Sequence, residues 1–223
     1  MTKKLFFEAI AKFTLGVVLV GALIFLPAGT LNFAGGWLLM GILFVPMFCA
    51  GLVMMAKNPG LLKSRLKAKE SRKEQDTVVK LSGLMFIAGF VIAGLDFRFG
   101  WLPLPGWVNW VAAGLFLIAY LLYAEVLREN TYLSRTIEVQ EGQKVIDTGL
   151  YGIVRHPMYS ATLLLFLSMP LVLGSLFSLI PLLFYPLLIS RRLLHEEKVL
   201  EEELEGYTEY KKKVRYRLIP YIW

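Results

Sequence analysis

Long apolar runs constrain this chain more than any other feature. They fall at about 10–27, 34–56, 81–96, 107–127 and 158–190. Several approach or exceed the ~20 residues that a helix needs to cross the hydrocarbon core of a bilayer. Of the 223 residues, 57% are hydrophobic and only 18% are charged. The chain therefore reads as an all-α polytopic integral membrane protein. The last run is too long for one simple crossing and is interrupted by "MPLVLGSLFS", where Gly174 and Ser175 mark a tight turn. It reads as a helical hairpin, 158–173 and 176–194, giving about six transmembrane helices. The alternative is five, with part of the hairpin only dipping into the bilayer. Pro170, Pro181 and Pro186 remove backbone donors and bend these helices, which neighbouring helices tolerate within a membrane.

Loop charges orient the helices. The 57–80 loop carries eight Lys/Arg against three acids, the 28–33 connection carries none, and "DFRFGWLPLPG" carries one of each sign. This basic, neutral, basic alternation puts both termini in the cytoplasm. Trp101, Trp107 and Trp110 around the second neutral loop resemble an interfacial belt on the far side. The net charge of +7 belongs to these loops, where cations set orientation and attract anionic lipid. No basic patch is interleaved with base-stacking aromatics, so a nucleic-acid partner is not expected. Cys49 is the only cysteine and lies inside an apolar run, so it reads as a packing residue. No metal site is expected. Lys3, Lys4 and Lys12 before the first run imitate a signal peptide, but "LPAGTLNFAGG" leads straight into another span, so the run reads as a retained helix.

These features divide the chain into an N-terminal four-helix membrane region, 1–127, and a C-terminal region, 128–223, expected to carry the chemistry. Within the latter, "TIEV" and "KVID" flank a Gly-containing turn and predict a small β-hairpin beneath the membrane. Residues 191–223 predict a helix that runs from lipid into cytosol and ends in an aromatic, basic tail.

The membrane centre is almost free of ionisable groups, because Glu8, Asp96 and Glu125 fall at span ends. Transporters and proton relays place such groups at depth, so chemistry is expected at the cytoplasmic boundary. Three polar clusters converge there: Arg155-His156, Glu196-Glu197, and the tail with Tyr207, Tyr210, Arg215 and Arg217. Pro157 suits the first helical turn because its missing N–H has no intrahelical partner there. A helix N-terminus beside a guanidinium and an imidazole suits a carboxylate or phosphate, though lipid headgroups could take the same contacts. Adjacent Glu196 and Glu197 point about 100° apart on a helix and cannot act as one diad. Glu196 lies four residues from Arg192, a salt-bridge spacing, so a solvated charged helix is the competing reading.

"RHPMY", followed after the hairpin by "EE", resembles the isoprenylcysteine carboxyl methyltransferase family and the related phospholipid N-methyltransferases. The likeness runs from "ENTYLSRTIEVQ" to "VRYRLIPYIW", with Ala161 where relatives commonly have Gly. The resemblance implies an S-adenosylmethionine-dependent methyltransferase acting on a lipophilic small molecule or lipid. Arg155, His156, Glu196 and Glu197 would then be catalytic. Tyr151, Arg155, His156, Pro157, Tyr159, Glu196 and Glu197 would bind S-adenosyl-L-methionine, without deciding which glutamate meets which group. Arg128, Arg135 and Arg155 are candidates to orient an acidic acceptor. The alternatives are an NADPH-dependent sterol or enone reductase, which shares a related C-terminal architecture, and a non-catalytic lipid-binding protein.

The charge pattern makes a direct prediction. In a Cys49→Ser background, an impermeant thiol reagent added to intact cells should label Asn32→Cys and leave Ser71→Cys unmodified. Labelling at position 71 from outside would reverse the orientation.

Overall fold

The computed structural model describes residues 3–66, 73–134 and 137–223; Ser71 and Arg135 lie outside the described residues. Helices account for nearly all regular structure. They are α1 (Lys3–Ala28), α2 (Ala34–Lys57), α3 (Pro59–Leu66), α4 (Lys73–Phe99), α5 (Gly106–Glu129), α6 (Pro157–Val172), α7 (Leu179–Leu182), α8 (Tyr185–Glu203) and α9 (Tyr207–Lys213). A 3-10 turn, Gly149–Gly152, precedes α6. Among the described residues, α1, α2, the Thr77–Phe99 part of α4 and α5 are long and apolar enough to cross a membrane. Leu26, Trp110 and Leu121 are 70% or more exposed, as lipid-facing side chains of a polytopic membrane protein should be. The protein is all-helical and membrane-embedded.

The C-terminal hairpin differs in detail from the expected one. Its first arm, α6, has 16 residues, about 24 Å of helix against the ~30 Å hydrocarbon core. The chain turns at Gly174, whose φ of +74° an L side chain rarely adopts. The second arm is broken into α7 and α8, with Pro181 and Pro186 each near a helix start. α8 then continues unbroken to Glu203, as predicted. The expected β-hairpin is absent among the described residues. A turn forms in its place, with Gln143 N donating to Gln140 O and Gln140 N donating to Gln143 Oε1. Val139 and Val145 pack against Leu204, Tyr207 and Tyr210, so these short runs bury side chains on α8 and α9 without pairing their backbones.

Packing joins α1 to α4 and α2, α5 to α6, and α4 to α7 and α8. The shared core includes Ile24, Leu39, Phe116 and Leu193, all fully buried. The α1–α4 crossing is close because Gly94 has no side chain: a Cβ there would lie 2.6 Å from the Ile24 carbonyl oxygen. Asn109 Nδ2, near the start of α5, donates to Val172 O at the end of α6 (2.9 Å), so α6 begins at the opposite end of the bundle from the tryptophan-rich loop. At that end Arg65 of α3 donates to Ser134 O (3.3 Å) and to the Tyr123 hydroxyl. The basic connection after α2 and the start of α6 therefore share one end of the bundle.

Gly94→Ala should lower the melting temperature in detergent, because the methyl group meets backbone that cannot rotate away. A cost of about 1–3 kcal/mol is expected from overpacking of this kind. Gly114→Ala, where a Cβ meets nothing within 4 Å, should melt like the parent.

Candidate functional site

The local sequence builds the start of α6 as expected. His156 is the N-cap residue, Pro157 opens the helix, and the amides of Tyr159 and Ser160 donate to His156 O. The tail expected to converge on this helix end does so, largely through its backbone carbonyls. The Arg155 and His156 amides donate to Tyr216 O and Arg217 O, both at 2.9 Å, and Ser160 Oγ donates to Leu218 O (2.6 Å). The C-terminal tail thus lies along the entry to α6.

Arg155 supplies the anchor. Its Nε donates to Glu197 Oε1 (2.7 Å), and its Nη1 donates to Val214 O (2.7 Å) and Arg215 O (2.8 Å). His156 Nε2 lies 3.3 Å from Glu197 Oε1, and Arg217 Nε donates to Glu197 Oε2 (3.0 Å). The Arg155, His156 and Glu197 residues are each at most 6% exposed. Burial opposes ionisation of Glu197, but hydrogen bonds from His156, Arg155 and Arg217 win and hold its carboxyl well below the usual range. The donors expected to receive a cofactor carboxylate are thus engaged by the protein itself.

Glu196 occupies a different environment one residue away. The Tyr159 hydroxyl donates to Glu196 Oε2, and Arg192 Nε donates to the Tyr159 oxygen (3.2 Å). The i, i+4 pair of Arg192 and Glu196 therefore converges on one phenol, and the two glutamates diverge as adjacent helical positions must.

Glu196, Tyr159 and Arg192 face a cavity of about 100 Å³ between α6, α8 and the 137–148 segment. Its wall also includes Asn130, Tyr132, Lys144, Tyr151 and Tyr207, with Arg155 and His156 at its back. Tyr151 accepts from Asn130 Nδ2 at its hydroxyl (3.0 Å) and from the Tyr210 hydroxyl at its carbonyl (2.7 Å). Of the residues expected at the site, Tyr151, Arg155, His156, Tyr159 and Glu196 line the cavity. Pro157 opens the helix beside it, and Glu197 lies behind in the ion cluster. Arg128 instead pairs with Glu125 on the exposed face of α5 (2.9 Å). Asn130, Tyr132 and Lys144 were missed because no helical period or motif marks them. Only the folding of residues 130–134 and 137–148 around the ends of α8 and α9 brings them in.

Residues 125–223 match the Ergosterol biosynthesis ERG4/ERG24 family. The chain is also 36% identical over 92 residues to the Delta(14)-sterol reductase TM7SF2 of Mus musculus, a stretch that is 40% of this chain. That stretch spans 22% of the mouse protein. Every residue that lines the cavity lies within the 125–223 match. These similarities overturn the likeness to isoprenylcysteine carboxyl methyltransferases and with it the methyltransferase activity and the S-adenosylmethionine cofactor. The physical reason lies in what the motif does. Arg155, His156 and Glu197 lock helix to tail, and such a frame does not specify its cofactor. S-adenosylmethionine and NADPH also share an adenine and a ribose, so acids and aromatics at a helix mouth suit both.

Glu197→Gln should unfold the tail, because it leaves the Arg155 guanidinium buried without its counter-charge, at a cost of about 3–5 kcal/mol. Since the folded Glu197 carboxyl titrates below its unfolded value, its stabilisation is present above about pH 4.3 and is lost as pH falls below it. Glu196→Gln should leave the melting temperature nearly unchanged. Thermal melts of the parent and both variants between about pH 2 and 8 check this.

Proposed function

We propose that the protein is a membrane reductase that saturates a carbon–carbon double bond of a sterol-like lipophilic substrate, with NADPH as reductant. One observation carries the chemistry: the Tyr159 hydroxyl is held between Glu196 and Arg192 where the cavity meets the apolar hairpin. The similarity of residues 125–223 to the ERG4/ERG24 family supports the reaction class.

The residues present fit such a dinucleotide. Arg192 and Lys144 would meet phosphates, Glu196 would accept from hydroxyl or amide groups, and Tyr151, Tyr159 and Tyr207 offer ring faces. The buried Tyr207 hydroxyl has no hydrogen-bond partner among the described residues, an orphan polar group of the kind a ligand satisfies. Arg155, His156, Pro157 and Glu197 would frame the site. When bound, NADPH would supply a hydride.

Saturating an alkene also consumes one proton, and the chain provides for it. The Tyr159 O–H is the candidate donor to the substrate carbon. The Arg192 guanidinium, already donating to the phenol oxygen, stabilises the phenolate that remains. Glu196 holds the hydroxyl in place and opens toward the cytosol, from which the phenol regains its proton. With both termini cytoplasmic, cofactor arrives from the cytosol and substrate from the bilayer, and 128–223 is the functional region beside a 1–127 membrane region.

Purified protein should bind NADPH, followed by cofactor fluorescence, and should oxidise it when a sterol diene is supplied in mixed micelles. Tyr159→Phe should lower kcat roughly 10²- to 10⁴-fold, the usual contribution of a positioned acid, while NADPH affinity changes only a few-fold. An absence of NADPH binding by the parent would overturn the reading.

A further inference from the structure

Among the tyrosines that line the cavity, Tyr207 is the unsatisfied one. The Tyr159 hydroxyl donates to Glu196, Tyr151 accepts from Asn130, and Tyr210 donates to Tyr151 O. The Tyr207 residue is 4% exposed, lines the cavity, and has an oxygen with no partner among the described residues. Leaving a phenol buried and unpaired is unfavourable in the free protein. A phenylalanine would fill the same space without that cost. Burial raises the Tyr207 phenol far above its ordinary pKa, and the charges of Glu197 and Glu196 raise it further. The group therefore stays a neutral O–H donor on a residue of the cavity wall.

The cavity selects what can accept from it. At about 100 Å³ it is smaller than the roughly 300–1,000 Å³ of sites that take a whole drug-sized ligand. It is closer to the roughly 150 Å³ that accommodates a benzene-sized guest. A space of that size would take one ring of a dinucleotide, not the whole molecule. Tyrosine walls suit an aromatic ring. One free donor, Tyr207, lies in the same small wall as one half-buried carboxylate, Glu196. A ring bearing a carboxamide is the complement, because its carbonyl accepts and its NH₂ donates. Adenine is bicyclic and carries no carbonyl.

We propose that Tyr207 is the residue that recognises the nicotinamide carboxamide, with its hydroxyl donating to the carboxamide oxygen. This rests on the reductase reading above. Tyr207 thus trades stability of the free protein for ligand affinity, and its contribution is separate from the proton donation assigned to Tyr159.

Tyr207→Phe tests this with binding and stability measured on the full chain in detergent, without turnover. The variant should melt at the same temperature as the parent or higher, and should bind NADPH and reduced nicotinamide mononucleotide about three- to tenfold more weakly, the loss expected for one hydrogen bond. Its affinity for 2′,5′-ADP, which lacks the nicotinamide, should be unchanged. Tyr210→Phe, which loses a bond to Tyr151 O, should instead melt lower, showing that the assay reports loss of a structural phenol. If the parent binds NADPH and Tyr207→Phe binds it equally well, a buried water satisfies the hydroxyl and the inference fails alone. If the loss appears with 2′,5′-ADP, the ring assignment is wrong. If the parent binds no NADPH, the reductase reading falls and takes the inference with it.

Discussion

The Glu197 carboxylate holds the C-terminal half together. It is buried, and Arg155, His156 and Arg217 reach it from two separate stretches of chain. Desolvating a carboxylate costs several kcal/mol, which its partners recover only when geometry is good and remaining donors are satisfied. Here the other Arg155 donors go to tail carbonyls, so pair and tail are interdependent. An arrangement of this kind contributes more to specifying one conformation than to net stability. It fixes where α6 begins, where the tail runs, and how α8 is rotated.

That rotation decides which acid faces the cavity. With Glu197 directed into the ion cluster, helical geometry turns Glu196 toward Tyr159. A structural role for one glutamate thus positions its neighbour, and neither can exchange duties without turning α8. The site lies where an apolar hairpin meets a polar cavity.

The same arrangement explains how a short motif can suggest the wrong chemistry. "RHPMY" and "EE" report a helix entry, an ion anchor and a divergent pair of acids, which are features of a frame. Function belongs to the ligands the frame admits. Those depend on the cavity wall, to which Asn130, Tyr132, Lys144 and Tyr207 contribute, and none of these belongs to the motif.

The sequence by itself determined the features that local chemistry and solvent dictate. Apolar length requires membrane helices, Pro157 opens α6, Gly174 turns the hairpin, and adjacent Glu196 and Glu197 diverge. Each depends on residues within a turn or two of one another, or on the average polarity of a segment. Only the tertiary structure decided that Arg155 spends its donors on the tail, and, among the described residues, that the 137–147 runs pack as side chains without forming strands and that Tyr207 lacks a partner. These facts depend on contacts between residues more than 40 positions apart, and no periodicity or spacing encodes them. A buried donor looks the same in sequence whether its partner is present or missing; the difference exists only once the surrounding chain has closed around it.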